Sequence, residues 1–338
     1  MTKKILFQCE QLNYRGTTNS ILDYAHYNQE ILGNESVIVY EASGPKGLDV
    51  GSSQAVIDEI SRKFPVYTYT DEAHLNKLAE KYDFCYSQRA GLLVDDLTKK
   101  RNPLVTSTKF GVHCVFQWYG PHGDVYAYIS EWLAGNVSKL YNAPVCPHVP
   151  FIVDLPPPNE DLREKFRIPK DKYVIGRIGG FNTFDLPHVH NVVRKIAEER
   201  DDILFIFANT QQFSNHRNIL YVEPFFDAQL KSNYIHMCDA MLHGRQLGET
   251  FGLSICEFLF HNKPVLSWSG GFDRNHVNML EKFDLLYNNE TDVYNRILGL
   301  RDRAPFDYNS IVAPFSPKKV MEAFREVFLD PPPTLGNP

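Results

Sequence analysis

Several common signatures are missing from this sequence, and each gap excludes something. No Asp-x-Asp occurs in its 338 residues, which argues against transferases that anchor a diphosphate through a divalent ion on such carboxylates. There is no G-x-S-x-G, P-loop or G-x-G-x-x-G, so hydrolase, kinase and dehydrogenase readings lose their motifs. No apolar run approaches the ~18 residues of a membrane span. The apolar start at residues 5–7 is too short for a signal-peptide core and is spoiled by Gln8 and Glu10, so it reads as a first strand. Basic blocks are also absent. With 35 Lys and Arg against 41 Asp and Glu, net charge −6, the chain lacks the positive stripe that nucleic acid requires. The six cysteines, Cys9, Cys85, Cys114, Cys146, Cys238 and Cys256, form no C-x-x-C pair. Most lie in apolar runs, as reduced thiols of a cytoplasmic protein would.

What is present is ordinary globular material, 43% hydrophobic and 22% charged, enough for about two domains of ~150 residues each. The first half alternates apolar runs at 5–9, 36–40, 66–69, 84–87, 104–107 and 125–129 with helical spacing at 20–32, 53–63 and 71–81. Such alternation predicts a parallel sheet covered on both faces, with its ligand edge at the carboxyl ends of the strands. At the first such end, Gly16 and Thr17 stand at a helix entrance. A glycine there lets backbone approach a ligand, and the hydroxyls could equally serve as plain caps.

The proline-dense stretch at 148–158 reads as a linker. Beyond it the pattern resumes, with strands expected at 173–178, 203–208, 219–222 and 265–268 and helices at 188–200 and 228–237. Residues 317–329 carry a further helical pattern, and 331–338 read as a flexible tail.

The most distinctive stretch is Gly248-Glu249-Thr250-Phe251-Gly252-Leu253-Ser254-Ile255-Cys256-Glu257. A helix is predicted to begin near Thr250 or Phe251 and to stop at Asn262, because Pro264 cannot continue it. Its residues are almost all apolar, as in a helix buried inside a domain. The free N–H groups of its first turn make a ready site for phosphate. Glu257 would lie ~9 Å along it. A carboxylate in so apolar a helix needs a partner, either an internal cation or backbone N–H, or the hydroxyls of a ligand.

With Glu249 eight residues before Glu257, this stretch resembles the E-x7-E signature of retaining glycosyltransferases of the GT-B fold, in particular glycosyltransferase family 4. The resemblance implies two facing Rossmann-like α/β domains, each with a parallel sheet, separated by a deep cleft. Residues 1–150 would form the acceptor-side domain, with 317–329 packing back onto it, and 151–316 the donor domain. It implies a metal-independent transfer of sugar from a nucleotide-diphosphate donor to a glycan or glycoconjugate hydroxyl, with retention and no bound cofactor. By this resemblance Glu249 holds the donor sugar and Glu257 the ribose. The amides of Thr250, Phe251, Gly252 and Leu253 hold the diphosphate, and Gly16 and Thr17 face it. The family's first-domain histidine falls near Lys109 in strict register; His113 is favoured here, and a core histidine is the other reading. The family's Arg and Lys for the leaving diphosphate fall at Gly180 and Asp185, so Arg245 or Arg177 would have to replace them. An epimerase of the same fold, or a non-catalytic nucleotide-sugar binder, stays open. So does peripheral contact with a membrane.

Overall fold

The computed structural model describes residues 2–42, 51–94 and 101–331; most of the tail expected at 331–338 lies outside them. The chain divides into two units. Unit 1 takes residues up to Ile152 together with those from Phe315 on, and unit 2 takes Val153–Pro314.

Unit 1 alternates strand and helix: β1 (Lys4–Cys9), α1 (Gly16–Glu30), β2 (Glu35–Glu41), α2 (Gln54–Ser61), β3 (Val66–Tyr69), α3 (Glu72–Ala79), β4 (Phe84–Arg89), β5 (Lys109–Cys114), β6 (Val125–Tyr128) and α4 (Glu131–Tyr141). All six strands are parallel, in the order β3-β2-β1-β4-β5-β6. β1, β4 and β5 are buried on both faces along nearly their whole length, as strands inside a parallel sheet are.

One strand is displaced from its expected place. Residues 104–107 are loop, because the side chain of Asn76 on α3 occupies their backbone groups. Its Oδ1 accepts from the N–H of Thr106 at 2.7 Å and of Ser107 at 3.0 Å, and its Nδ2 donates to the carbonyl of Leu104 at 2.8 Å. Those groups are then unavailable to a sheet ladder, and the strand forms at Lys109–Cys114 instead.

Unit 2 continues with α5 (Leu162–Lys165), β7 (Tyr173–Ile178), α6 (Pro187–Glu199), β8 (Ile203–Ala208), β9 (Ile219–Val222), α7 (Ala228–Met237), β10 (Ala240–Leu242), β11 (Gly248–Glu249), α8 (Leu253–Phe260), β12 (Val265–Trp268), β13 (Asp273–Arg274), α9 (Asn275–Leu280), β14 (Leu286–Tyr287), α10 (Glu290–Gly299) and α11 (Asn309–Val312). Its main sheet runs β14-β12-β10-β7-β8-β9, and β11 pairs with β13 in a separate two-stranded sheet. Both six-stranded sheets follow one plan. The first strand leads to two neighbours on one side, and the chain then crosses to the other side, as in doubly wound nucleotide-binding folds.

The chain ends back in unit 1 as α12 (Pro317–Phe324), which widens into a π-helical turn at Arg325–Leu329. Phe324 stacks on Tyr24 at 5.0 Å, and Phe328 meets Phe84, Tyr86 and His113 edge-on. Among the described residues, no helix is long and apolar enough to cross a membrane. All six cysteines are buried and unpaired.

Candidate functional site

In a doubly wound sheet the ligand crevice opens where the chain changes direction. In unit 2 that point lies between β7 and β10, and the charged groups of the signature gather at the carboxyl ends of these two strands. His243 follows β10 directly, with its N–H on the carbonyl of Leu266 at 2.8 Å. Glu249 sits on β11, whose pairing with Asp273 and Arg274 fixes its backbone. The N–H of Glu249 also donates to His276 Nδ1 at 3.3 Å.

The Glu249 carboxylate is held at both oxygens. Oε1 lies 3.1 Å from His243 Nε2, and Oε2 accepts from Arg245 Nη1 at 3.0 Å. Burial pushes its pKa up, but the His243 hydrogen bond and the charges of Arg245, His243 and His276 outweigh it and bring the pKa down to about 2. It is a carboxylate at any working pH. The side chain is 19% exposed, so it is braced from inside and open outside.

The other acid differs. Glu257 Oε1 accepts from Lys231 Nζ on α7 at 2.7 Å, both side chains less than a tenth exposed. Of the two partners the sequence offered, internal cation or ligand hydroxyls, the structure holds the first. Oε2 hydrogen-bonds to no described residue.

The helix between them starts later than expected. Thr250 and Phe251 lie in a bend, and Gly252 (φ 93°) turns the chain into α8, whose first residue is Leu253. The first-turn amides are therefore those of Leu253, Ser254 and Ile255, not those of Thr250 and Phe251. At the other end Asn262 adopts φ 58°, and the N–H of Lys263 closes on the carbonyl of Phe258, a left-handed stop that ends the helix at Phe260.

Arg177, near the end of β7, is buried. Its Nη2 donates to Thr183 Oγ1 at 2.7 Å and its Nη1 to Thr210 Oγ1, while Nε has no partner among the described residues. Burial lowers its pKa to about 10, and Glu249 is the largest charge opposing that. Arg245 is a quarter exposed, and its side chain's only hydrogen bond among the described residues is the one to Glu249. Gly180 and Asp185, where the expected cations would stand, form part of the loop beneath them. The Asp185 carboxylate accepts from the N–H of Gln246 at 2.7 Å.

In unit 1, Gly16 and Thr17 are the first residues of α1, whose N-cap, Arg15, makes no side-chain capping bond. Gly16 is exposed and Thr17 half-buried.

His113 requires a correction. With the strand moved to Lys109–Cys114 it lies inside β5 rather than after it, and is 0% exposed. Its Nδ1 is 2.6 Å from the Tyr86 hydroxyl, and Tyr24, Phe151 and Phe328 pack against the ring. Lys109, the strict-register alternative, is the exposed first residue of the same strand. His113 is thus a core histidine with no face open to a sugar.

Burial pushes its pKa down from 6.5 to about 3, so the native ring stays neutral while the unfolded chain protonates first. The stability this contributes is complete above pH 6.5. It is lost as pH falls towards 3, at about 1.4 kcal/mol per pH unit for one proton. Urea unfolding of the parent and of His113→Phe from pH 7 to 4.5 should show a shallower decline in the variant. Parallel declines would show that His113 is not a source of the acid sensitivity.

The sequence reading passed over His243, His276 and Ser267. Ser267 stands inside β12, His243 just past β10 and His276 on α9, and no local pattern shows that residues so far apart in sequence meet at Glu249.

No protein-family model matches the chain, and no curated protein does. Solved structures do. Anabaena HepE in complex with UDP-glucose superposes with a TM-score of 0.68 at 13% identity, over 96% of this chain and 95% of that one. TarM superposes with a TM-score of 0.68 at 10% identity, over 97% and 99%. A protein assigned as a UDP-N-acetylglucosamine 2-epimerase, from Listeria monocytogenes, superposes with a TM-score of 0.59 at 13% identity, over 98% of both chains. These likenesses, with two parallel six-stranded sheets flanked by helices, define the fold as GT-B.

Proposed function

We propose that this protein transfers a sugar from a nucleotide-diphosphate donor to a hydroxyl of a glycan or glycoconjugate, with retention and without a bound metal. The observation that carries the reading is Glu249, held ionised at the crossover edge of the unit 2 sheet by Arg245 and His243, beside the entrance to α8. The structure of HepE with UDP-glucose supports a donor of this class.

In this reading Glu249 accepts hydrogen bonds from donor-sugar hydroxyls, while Glu257, through Oε2, accepts from the ribose. The amides of Leu253 and Ser254 hold the diphosphate with Arg245. Arg177 adds a buried positive charge near Glu249. The acceptor oxygen bonds to the anomeric carbon on the face that the diphosphate leaves. The carbon–oxygen bond to phosphate breaks, and the acceptor proton passes to the leaving phosphate oxygen. The residues orient the reactants and stabilise the developing negative charge, which is commonly the largest catalytic contribution.

Thermal-shift screening against UDP-, GDP- and dTDP-sugars tests the donor class, because a ligand of the folded form raises the melting point. If no member of the panel does so, the reading fails. Arg245→Ala should lose transfer by roughly 10²-fold while remaining folded; transfer at the parental rate would remove Arg245 from the phosphate site. The fold is equally that of the Listeria epimerase relative, so products formed without an acceptor must also be analysed. An epimerised sugar nucleotide would replace transfer by epimerisation.

A further inference from the structure

We infer that His243, set by Ser267, is the positioning residue of Glu249, and that it fixes the carboxylate so that two acceptor positions face outward for a pair of sugar hydroxyls. The inference deepens the proposed function and rests on it for the identity of the hydroxyls. The bracing itself rests on geometry alone.

His243 makes two side-chain hydrogen bonds, one on each ring nitrogen. Nδ1 is 2.8 Å from Ser267 Oγ on β12, and Nε2 is 3.1 Å from Glu249 Oε1. An ionised carboxylate can only accept, so the proton must sit on Nε2. In the neutral ring Nδ1 is then an acceptor, and the Ser267 hydroxyl donates to it. The backbone is held as firmly, since the Tyr287 hydroxyl donates to the carbonyl of His243 at 2.7 Å.

The charged and titratable groups facing this unit are few. Arg245 holds the other carboxylate oxygen, and Arg177 acts on Glu249 through its charge. His276 lies with its ring 5.5 Å from that of His243. His276 accepts from the N–H of Glu249 at Nδ1 and donates to the carbonyl of Trp268 from Nε2 at 2.8 Å. Two imidazoles in the same Nε2–H tautomer thus do different work. His276 places the backbone of Glu249, and His243 places its carboxylate.

A serine, a histidine and an acid in a row suggest a hydrolytic triad, but the arrangement is reversed. Such a triad turns Nε2 to the serine and Nδ1 to the acid. Here the serine faces Nδ1 and is wholly buried in the sheet, where no substrate can reach it. The chain of hydrogen bonds therefore runs outward, ending on the carboxylate. An ionised carboxylate offers about four acceptor positions. His243 and Arg245 occupy one on each oxygen, leaving about two, which matches a vicinal diol better than a single hydroxyl.

The test uses the full chain and two readouts. Nitrogen-15 NMR of the His243 ring should show protonation at Nε2 and an unprotonated Nδ1. In Ser267→Ala that preference should weaken. Calorimetric titration with UDP and with UDP-glucose then reads the consequence. His243→Ala should bind UDP as the parent does but lose about tenfold in affinity for UDP-glucose, the effect of one hydrogen bond to a charged group. His243→Gln, whose amide can still donate to Glu249, should recover most of it.

A neutral ring protonated at Nδ1 would overturn the inference. So would an unchanged preference for UDP-glucose over UDP in His243→Ala. A parent that binds neither probe would count against the donor reading instead, and the NMR result alone would then decide the role of His243.

Discussion

Replacing Lys231 by methionine should destabilise unit 2 by roughly 3–5 kcal/mol, the effect of stripping one partner from a buried ion pair. The Glu257 carboxylate would keep its burial on α8 and lose the ammonium 2.7 Å away, with apolar residues on either side of it in sequence. The cost is the desolvation of an unmatched charge rather than the worth of one contact. Adding Glu257→Gln to Lys231→Met should therefore return most of the loss, because a neutral amide is far easier to bury. Denaturant midpoints of the two single variants and the double variant form the cycle that checks this. A loss below about 1 kcal/mol in Lys231→Met would mean that water reaches Glu257 and that the pair is not buried in solution. If Glu257 also accepts from a ribose, the double variant should fold well and bind donor poorly, which separates the two duties of this residue.

Gly248→Ala should abolish most activity while leaving both main sheets intact. Gly248 has φ 84°, and a Cβ added there would fall 1.9 Å from the carbonyl oxygen of Asp273, its partner across the two-stranded sheet. Backbone strain at such a residue costs of order 1–3 kcal/mol. The contact itself forces β11 and β13 apart. Because Glu249 is the next residue, its carboxylate would shift by about an ångström, a displacement that can cost 10²-fold in rate. Transfer assays beside circular dichroism would show a folded and nearly inactive protein. Activity within a few-fold of the parent would mean that the Glu249 position is not set by this strand pair.

The sheets were the most legible part of the sequence, for a physical reason. Strands buried on both faces carry apolar runs, so β1, β7 and β8 could be placed almost to the residue, while β4 runs two residues past its apolar start into Gln88 and Arg89. The failure at residues 104–107 has an equally plain cause. One asparagine on a neighbouring helix consumed the backbone groups of a segment that otherwise looked like a strand, and no local pattern reveals so distant a partner. The same displacement carried His113 from a strand end into the core. The start of α8 is later than expected because the left-handed Gly252 delays the first turn, and an apolar pattern running from Phe251 onward gives no sign of that turn. Glu249 and Arg245 could be noticed because they flank a recognisable signature. The brace formed by His243 and Ser267 depends on residues 24 apart that meet only when β10 and β12 lie side by side.

The aromatic side chains of the carboxyl-terminal helix bear on the order in which the protein can mature during synthesis. Unit 2 is one uninterrupted stretch, Val153–Pro314, and can close its core once that stretch has left the ribosome. Unit 1 emerges earlier but cannot finish, because Phe324 and Phe328 fill the space beside Tyr24 and Tyr86. The half of the polypeptide made first is therefore completed last, and during translation it must carry an unsealed apolar surface of the kind that recruits chaperones.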